Sequence, residues 1–187
     1  DDTVGRLMSN LKANGLADNT IVVFASDHGD NLGSHHAFNK GRLIEESIRV
    51  PMVFWGGLTP QANTAQVAQL IDIMPTLLDQ CGAEIPDSVQ GRTLGPILRN
   101  ERESLDENCA FIETAAGAIG LRTASHLYGM QLQQDFRTIG DEEKCLYDLS
   151  VDPYEQQNLA DGNTDLEADL ARQLANWNAN TPWLPAH

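Results

Sequence analysis

The stretch Ile21-Val22-Val23-Phe24-Ala25-Ser26-Asp27-His28-Gly29-Asp30 sets the fold class of this chain. Its first five residues are apolar, β-branched or aromatic for the most part, and too few for a helix of ordinary length, so they predict a strand. An apolar strand that runs out into an acid, an imidazole and a glycine places metal-ligand chemistry at its carboxyl edge, where open α/β sheets carry their sites. The unbroken hydrophobicity predicts burial on both faces, as in a parallel or mixed sheet flanked by helices.

Upstream, Val4, Leu7, Met8 and Leu11 recur at helical spacing and give one apolar stripe, with Asn14-Gly15 as its stop. The segment 1–15 has no basic leader and no long apolar core, so it reads as the middle of a fold rather than a signal peptide. Downstream, Met52 to Trp55 form a second apolar run, with Pro51 marking its beginning and Gly56-Gly57 its end. A helix is expected from Asp72 as N-cap, with Pro75 tolerated in the first turn; Ile73, Leu77, Leu78 and Cys81 share a side and Gly82 caps it.

From about Pro86 the texture becomes polar and turn-rich, and the boundary of a second subdomain is placed near residues 99–107. The strand-like pieces Cys109–Glu113, Ile119–Thr123, His126–Leu132 and Cys145–Leu149 predict an antiparallel sheet. A last helix spans about Thr164 to Trp177 with Leu166, Leu170 and Leu174 on one face. The expected fold is therefore α/β: the end of a mixed sheet with flanking helices over residues 1–100, then a small antiparallel sheet with a helix over residues 101–187.

Composition narrows the function classes. The formal net charge is −15, and the acidic excess is larger after residue 98, with 6 Lys+Arg against 16 Asp+Glu, than before it, with 6 against 11. That balance repels phosphate backbones and anionic lipid, so neither a nucleic acid nor a membrane surface is an expected partner. No apolar run approaches the ~20 residues of a membrane span. Cys81, Cys109 and Cys145 are far apart and read as free thiols, buried or partly so.

Asp27 and His28 can ligate one divalent cation if the backbone turns so that they converge, and Gly29 supplies freedom for the turn. Carboxylate oxygen suits calcium, magnesium or manganese, whereas imidazole shifts the preference toward softer transition metals. Lys40 stands thirteen positions after Asp27, between Asn39 and Gly41, where an ammonium can serve as a point charge for sulfate or phosphate. Either His35 or His36 can donate a proton to a leaving group. Each feature also has a structural reading, as a capping Asp, a solvated Lys and an exposed His pair. Glu45, Glu46 and Arg49 are expected to form loop ion pairs, Arg122 and the LYDL segment to hold the small sheet, and Tyr154, Asn158 and Leu159 to make a packed turn.

Four blocks taken together resemble the sulfatase family of the alkaline-phosphatase superfamily: DNTIVVFASDHGDNLGSHHAFNKG at 18–41, EESIRVPMVFWGG at 45–57, LIDIMPTLLDQCGAEIPDSVQGRTLGPIL at 70–98 and LYDLSVDPYEQQNLA at 146–160. The resemblance implies metal-dependent hydrolysis of sulfate esters, on a small molecule or saccharide. Asp27 and His28 match the late pair of metal ligands, with calcium the usual ion and manganese the other candidate. Lys40 matches the lysine that contacts the sulfate, and His35 is the candidate proton donor beside it.

Departures from the family pattern are equally informative. None of the three cysteines lies in the Cys/Ser-x-Pro/Ala-x-Arg motif from which the family's formylglycine nucleophile is made, and the family's early Asp-Asp metal pair is missing, Asp1-Asp2 being followed by a helix with no strand before them. Both belong to an amino-terminal half, which the resemblance makes the expected partner of this chain. His36 stands where many members have Gly, and Leu127 where the tail pattern has Lys. Two alternatives remain open: a phosphonate monoester or phosphodiester hydrolase of the same superfamily, and a non-catalytic module with the same fold.

Overall fold

The computed structural model describes residues 1–56, 64–140, 143–162 and 164–181. It divides into two compact units: residues 1–27 with 51–106, and residues 28–50 with 107–187.

In the first unit, helix α1 (Asp2–Ala13) leads through a short 3₁₀ turn into strand β1 (Val22–Ala25). Strand β2 (Met52–Trp55) pairs antiparallel with β1, in the register Val22↔Trp55 to Ala25↔Met52. Gly56, at φ +93, ends β2 against the carbonyl of Thr20, an approach that leaves no room for a Cβ. The sequence led us to expect β1 to be buried on both faces. Within this chain Phe24 is 51% exposed and Val53 52%, because a two-stranded ribbon cannot cover both of its own faces. Helix α1 likewise buries none of its residues.

Helix α3 (Ile73–Gln80) follows a 3₁₀ turn at Leu70–Asp72 and tolerates Pro75 in its first turn, as expected. Its buried residues are Pro75 and Thr76, whereas Cys81 is exposed, a correction to the anticipated apolar side and to the picture of three covered thiols. Asp72 is fully buried and holds two backbone amides, from Gln69 at 2.9 Å and Arg92 at 2.8 Å. Its role goes beyond capping: it fastens the 91–94 turn to the helix. The one-turn helix α4 (Gly95–Leu98) completes this unit.

The second unit is built on a four-stranded antiparallel meander, β3 (Cys109–Glu113), β4 (Ala118–Thr123), β5 (His126–Gln131) and β6 (Cys145–Asp148), in the order β3-β4-β5-β6. Helix α5 (Asp165–Asn180) packs on it, capped by the Thr164 hydroxyl, which accepts the Glu167 amide at 3.1 Å. Ile119, Leu121, Tyr128, Leu146, Leu170 and Leu174 form the core, and Phe111 stacks on Trp177 with ring centroids 5.1 Å apart. Leu166, expected on the buried face, is 42% exposed; Glu167 is buried in its stead and accepts the Asp161 amide at 2.9 Å. Leu127, in the position where the family pattern has Lys, is fully buried. No helix among the described residues is long and apolar enough to cross a membrane.

The opposite side of this sheet receives the segment 28–50, which contains the one-turn helix α2 (Glu45–Ile48). The cross-strand pair Gly120↔Gly129 leaves a gap in the side-chain layer, and Leu43 fills it. Arg122 of β4 then grips Glu45 with two parallel hydrogen bonds, Nε to Oε1 at 3.0 Å and Nη2 to Oε2 at 3.1 Å.

Candidate functional site

Asp27 is exposed and lies in the first unit, two residues beyond the end of β1. His28 opens the second unit and is partly buried. Its Nδ1 is 2.8 Å from the carbonyl oxygen of Gly29. A carbonyl only accepts, so Nδ1 carries a proton, and Nε2 is the nitrogen that would ligate a divalent cation. An exposed carboxylate followed by a histidine in this tautomer is a donor set suited to a cation.

The loop between His28 and Lys40 is closed at its base. The Gly29 amide donates to the carbonyl of Ser47 at 2.8 Å, and the Gly41 amide donates to the hydroxyl of Ser47 at 3.1 Å. One buried serine thus holds the residues that immediately follow His28 and Lys40. A further rung, from the Asn31 amide to the Asn39 carbonyl at 2.7 Å, and another from Gly33 to Ala37 at 2.8 Å, zip the loop together. Asn31 and Ala37 are its buried anchors, and Lys40 is exposed at its end.

Left-handed backbone occurs at Leu32, His35, His36 and Asn39, with φ between +47 and +66. His36, at φ +55, sits in the conformation that glycine adopts most readily, which accounts for the glycine of the family pattern at this point. Gly29 has no positive φ; it is needed for space, since a Cβ there would collide with the carbonyl oxygen of Glu46. The expectation that Gly29 supplies conformational freedom is therefore replaced by a close backbone approach.

His35 is directed at carboxylates. Its Nε2 is buried and lies 4.0 Å from Oε2 of Glu46, while Oε1 of Glu46 accepts the Ser34 hydroxyl at 2.5 Å. That hydrogen bond, more than the charge of His35, holds the Glu46 carboxyl below its ordinary range. Glu155 approaches from the turn after β6; its Oε2 accepts the Glu45 amide at 2.9 Å. Burial, reinforced by the neighbouring acids Glu45, Glu46 and Asp152, pushes Glu155 up to about 7.

Sequence reasoning missed Ser47 and Glu155, and nothing in their local pattern distinguishes them. Glu45 and Arg49 do form the expected loop ion pair, at 3.7 Å. Asn158 makes the expected packed turn, accepting the Leu146 amide at 2.9 Å, whereas Tyr154 beside it is 70% exposed.

The family model described as Sulfatase matches residues 1–83. An N-acetylglucosamine-6-O-sulfatase of Bacteroides thetaiotaomicron is 32% identical over 85% of this chain and 30% of its own length. Among solved structures, a protein in complex with its substrate D-glucosamine-2-N,6-O-disulfate superposes with a TM-score of 0.77 at 26% identity, covering 97% of this chain and 39% of that one. A phosphonate monoester hydrolase of Silicibacter pomeroyi gives 0.75 at 26%, covering 95% and 38%. The chain spans about a third of the length of the curated relatives it matches.

Proposed function

This chain belongs to the sulfatase family of the alkaline-phosphatase superfamily, and we propose that it carries one wall of the active site of a sulfate-ester hydrolase. The observation that carries the reading is the Ser47 clamp, which anchors the residues following His28 and Lys40, the positions matching a metal ligand and the sulfate-contacting lysine. Asp27 and His28 would hold a divalent cation, calcium by family usage with manganese the other candidate. Such an ion supplies Lewis-acid neutralisation of the ester oxygens.

The exposed ammonium of Lys40 would bind the transferred sulfate as a point charge and offset charge that builds near the leaving oxygen. His35 enters as a positioning residue, since its Nε2 is buried toward Glu46. The formylglycine nucleophile and the early acidic ligands would come from an amino-terminal half of the same protein. In this reading residues 1–100 end the catalytic domain and residues 101–187 form the small subdomain, on which the loop 28–50 rests. A sulfated saccharide is the favoured substrate class, because relatives include a glucosamine sulfatase and a structure holding a sulfated glucosamine.

The test is turnover of an aryl sulfate and of glucosamine 6-sulfate by the full-length parent with calcium. We expect Lys40→Ala in that parent to lower kcat/KM by a factor of about 10² to 10³, the scale for losing one charge-stabilising group. The chain alone should be inactive. Sulfatase turnover by the isolated chain, or a Lys40→Ala parent of unchanged activity, would overturn the assignment. A second reading, hydrolysis of phosphonate monoesters or phosphodiesters, is supported by the match to the Silicibacter pomeroyi enzyme. Higher kcat/KM of the parent on a phosphate diester than on a sulfate monoester would select it.

A further inference from the structure

Three buried side-chain atoms of the second unit converge without hydrogen-bond partners among the described residues: Nε2 of His35, Oε2 of Glu46 and Oε1 of Glu155. One ligand atom from each of these three residues lies within 4.8 Å of the other two. Leaving a buried polar atom unpaired is costly, and more so for a charged group, so three in one place need a common explanation.

Each carboxylate is held by its other oxygen. Glu46 uses Oε1 to accept the Ser34 hydroxyl, and Glu155 uses Oε2 to accept the Glu45 amide. Both are thereby oriented so that the second oxygen faces the same space, which is how outer partners orient the ligands of a metal. The turn that delivers Glu155 is itself unusual: the residue has φ +52 and is 2% exposed. His35 is delivered with the same φ of +52.

The surrounding charge leaves a deficit of positive groups. Glu45 is engaged by Arg122 and by Arg49, so it is neutralised. Asp152, Cys145 and Tyr147 also face Glu155, and none of them brings positive charge. Glu46 and Glu155 are left to His35. The separation of 4.0 Å between His35 Nε2 and Glu46 Oε2 is too long for a hydrogen bond. Bonds of about 2.1 Å place tetrahedral ligand atoms roughly 3.4 Å apart, so an ion between the two would draw them together by about half an ångström.

We propose that His35, Glu46 and Glu155 bind one divalent transition-metal cation, zinc in the first instance. This site is distinct from the Asp27–His28 pair and ties the loop 28–50 to the turn after β6. One imidazole with two carboxylates suits zinc or manganese and offers too few oxygens for calcium. The role is structural: the ion would lock the base on which the loop carrying His28 and Lys40 rests.

The test uses the isolated chain, titrated with ZnCl2 by calorimetry and with CoCl2 as a spectroscopic probe. One ion is expected at this site, with visible cobalt bands of a His/carboxylate set that persist when Asp27 and His28 are replaced. His35→Ala and Glu155→Gln should each weaken uptake at least about tenfold, while the double variant Asp27→Ala/His28→Ala retains it. Ser34→Ala, which removes only the outer hydrogen bond to Glu46, should weaken it by about 10-fold; it serves as the second variant if Glu155→Gln does not fold. Absence of zinc uptake, or uptake unchanged in His35→Ala and Ser34→Ala, overturns the proposal. None of these readouts depends on sulfatase turnover, so the two readings fail separately.

Discussion

The hydroxyl of Ser47 accepts the backbone amide of Gly41 at 3.1 Å, while the carbonyl of the same serine accepts the amide of Gly29. One residue on a four-residue helix therefore sets the spacing between the two ends of the loop. Ser47→Ala keeps the carbonyl bond and removes the hydroxyl bond, leaving a partly buried amide without its acceptor. The expected cost is about 1–2 kcal/mol, read from urea unfolding of the isolated chain. In the full-length parent, Ser47→Ala should lower kcat more than it raises KM, because Lys40 is misplaced and not removed. An unchanged kcat would show that the clamp does not position the lysine.

Gly29→Ala tests the same clamp from the other end. A Cβ at this position meets the carbonyl oxygen of Glu46, a backbone atom that cannot rotate away. The loop base must open, and we expect destabilisation of about 1–3 kcal/mol together with loss of protection of the Gly41 amide in hydrogen exchange. Retention of both would contradict the packing.

Leu43 occupies the space left by Gly120 and Gly129, and Cβ atoms at either glycine collide with it. Gly129→Ala should destabilise the second unit by about 1–3 kcal/mol through overpacking. The double variant Gly129→Ala/Leu43→Ala should recover part of that loss, since the added methyl then enters vacated volume. A double-mutant cycle in chemical unfolding measures the coupling; additive losses would disprove the contact.

Arg122 and Glu45 form a partly buried two-bonded pair, 18% and 12% exposed. Arg122→Ala leaves the Glu45 carboxylate, beside Glu155 and Glu46, with only the exposed Arg49 at 3.7 Å, and should cost about 1–3 kcal/mol. Glu45→Gln/Arg122→Met should be closer to the parent than Arg122→Ala, because no partly buried carboxylate is left without its two-bonded partner. Thermal unfolding of the three proteins ranks them.

Thiol reactivity should separate the cysteines of the isolated chain. Cys81 is exposed, whereas burial pushes the Cys145 thiol up to about 12, leaving almost no thiolate at neutral pH. Iodoacetamide at pH 7.5 should label Cys81 first and Cys145 only on unfolding. Mass spectrometry of the digested protein locates the adduct, and early labelling of Cys145 would contradict its placement.

Much of the architecture was legible because it is written at short range. The apolar runs at 21–25 and 52–55, the four strand-like pieces from Cys109 onward and the start of the last helix near Thr164 each lie within a few residues of their own signal, and the strands appeared within one or two residues of the expected bounds. Helices α2 and α4 were missed, for a helix of four residues is about one turn and shows no periodicity. The misplacement of Leu166 has a related cause: three leucines spaced by four drift around the helix, so the one at the end left the buried face.

By itself the sequence determined which donor atoms are available and in what order: Asp27 and His28 at a strand end, Lys40 a short loop later, and the family those blocks indicate. Only the tertiary structure decided that Ser47 binds both ends of that loop, that Gly29 is required by the Glu46 carbonyl, and that Glu155 meets Glu45 across 110 positions of chain. The physical reason is range. Side-chain chemistry and backbone periodicity belong to neighbouring residues, whereas a buried hydrogen bond between distant residues exists only once packing has brought its donor and acceptor within about 3 Å.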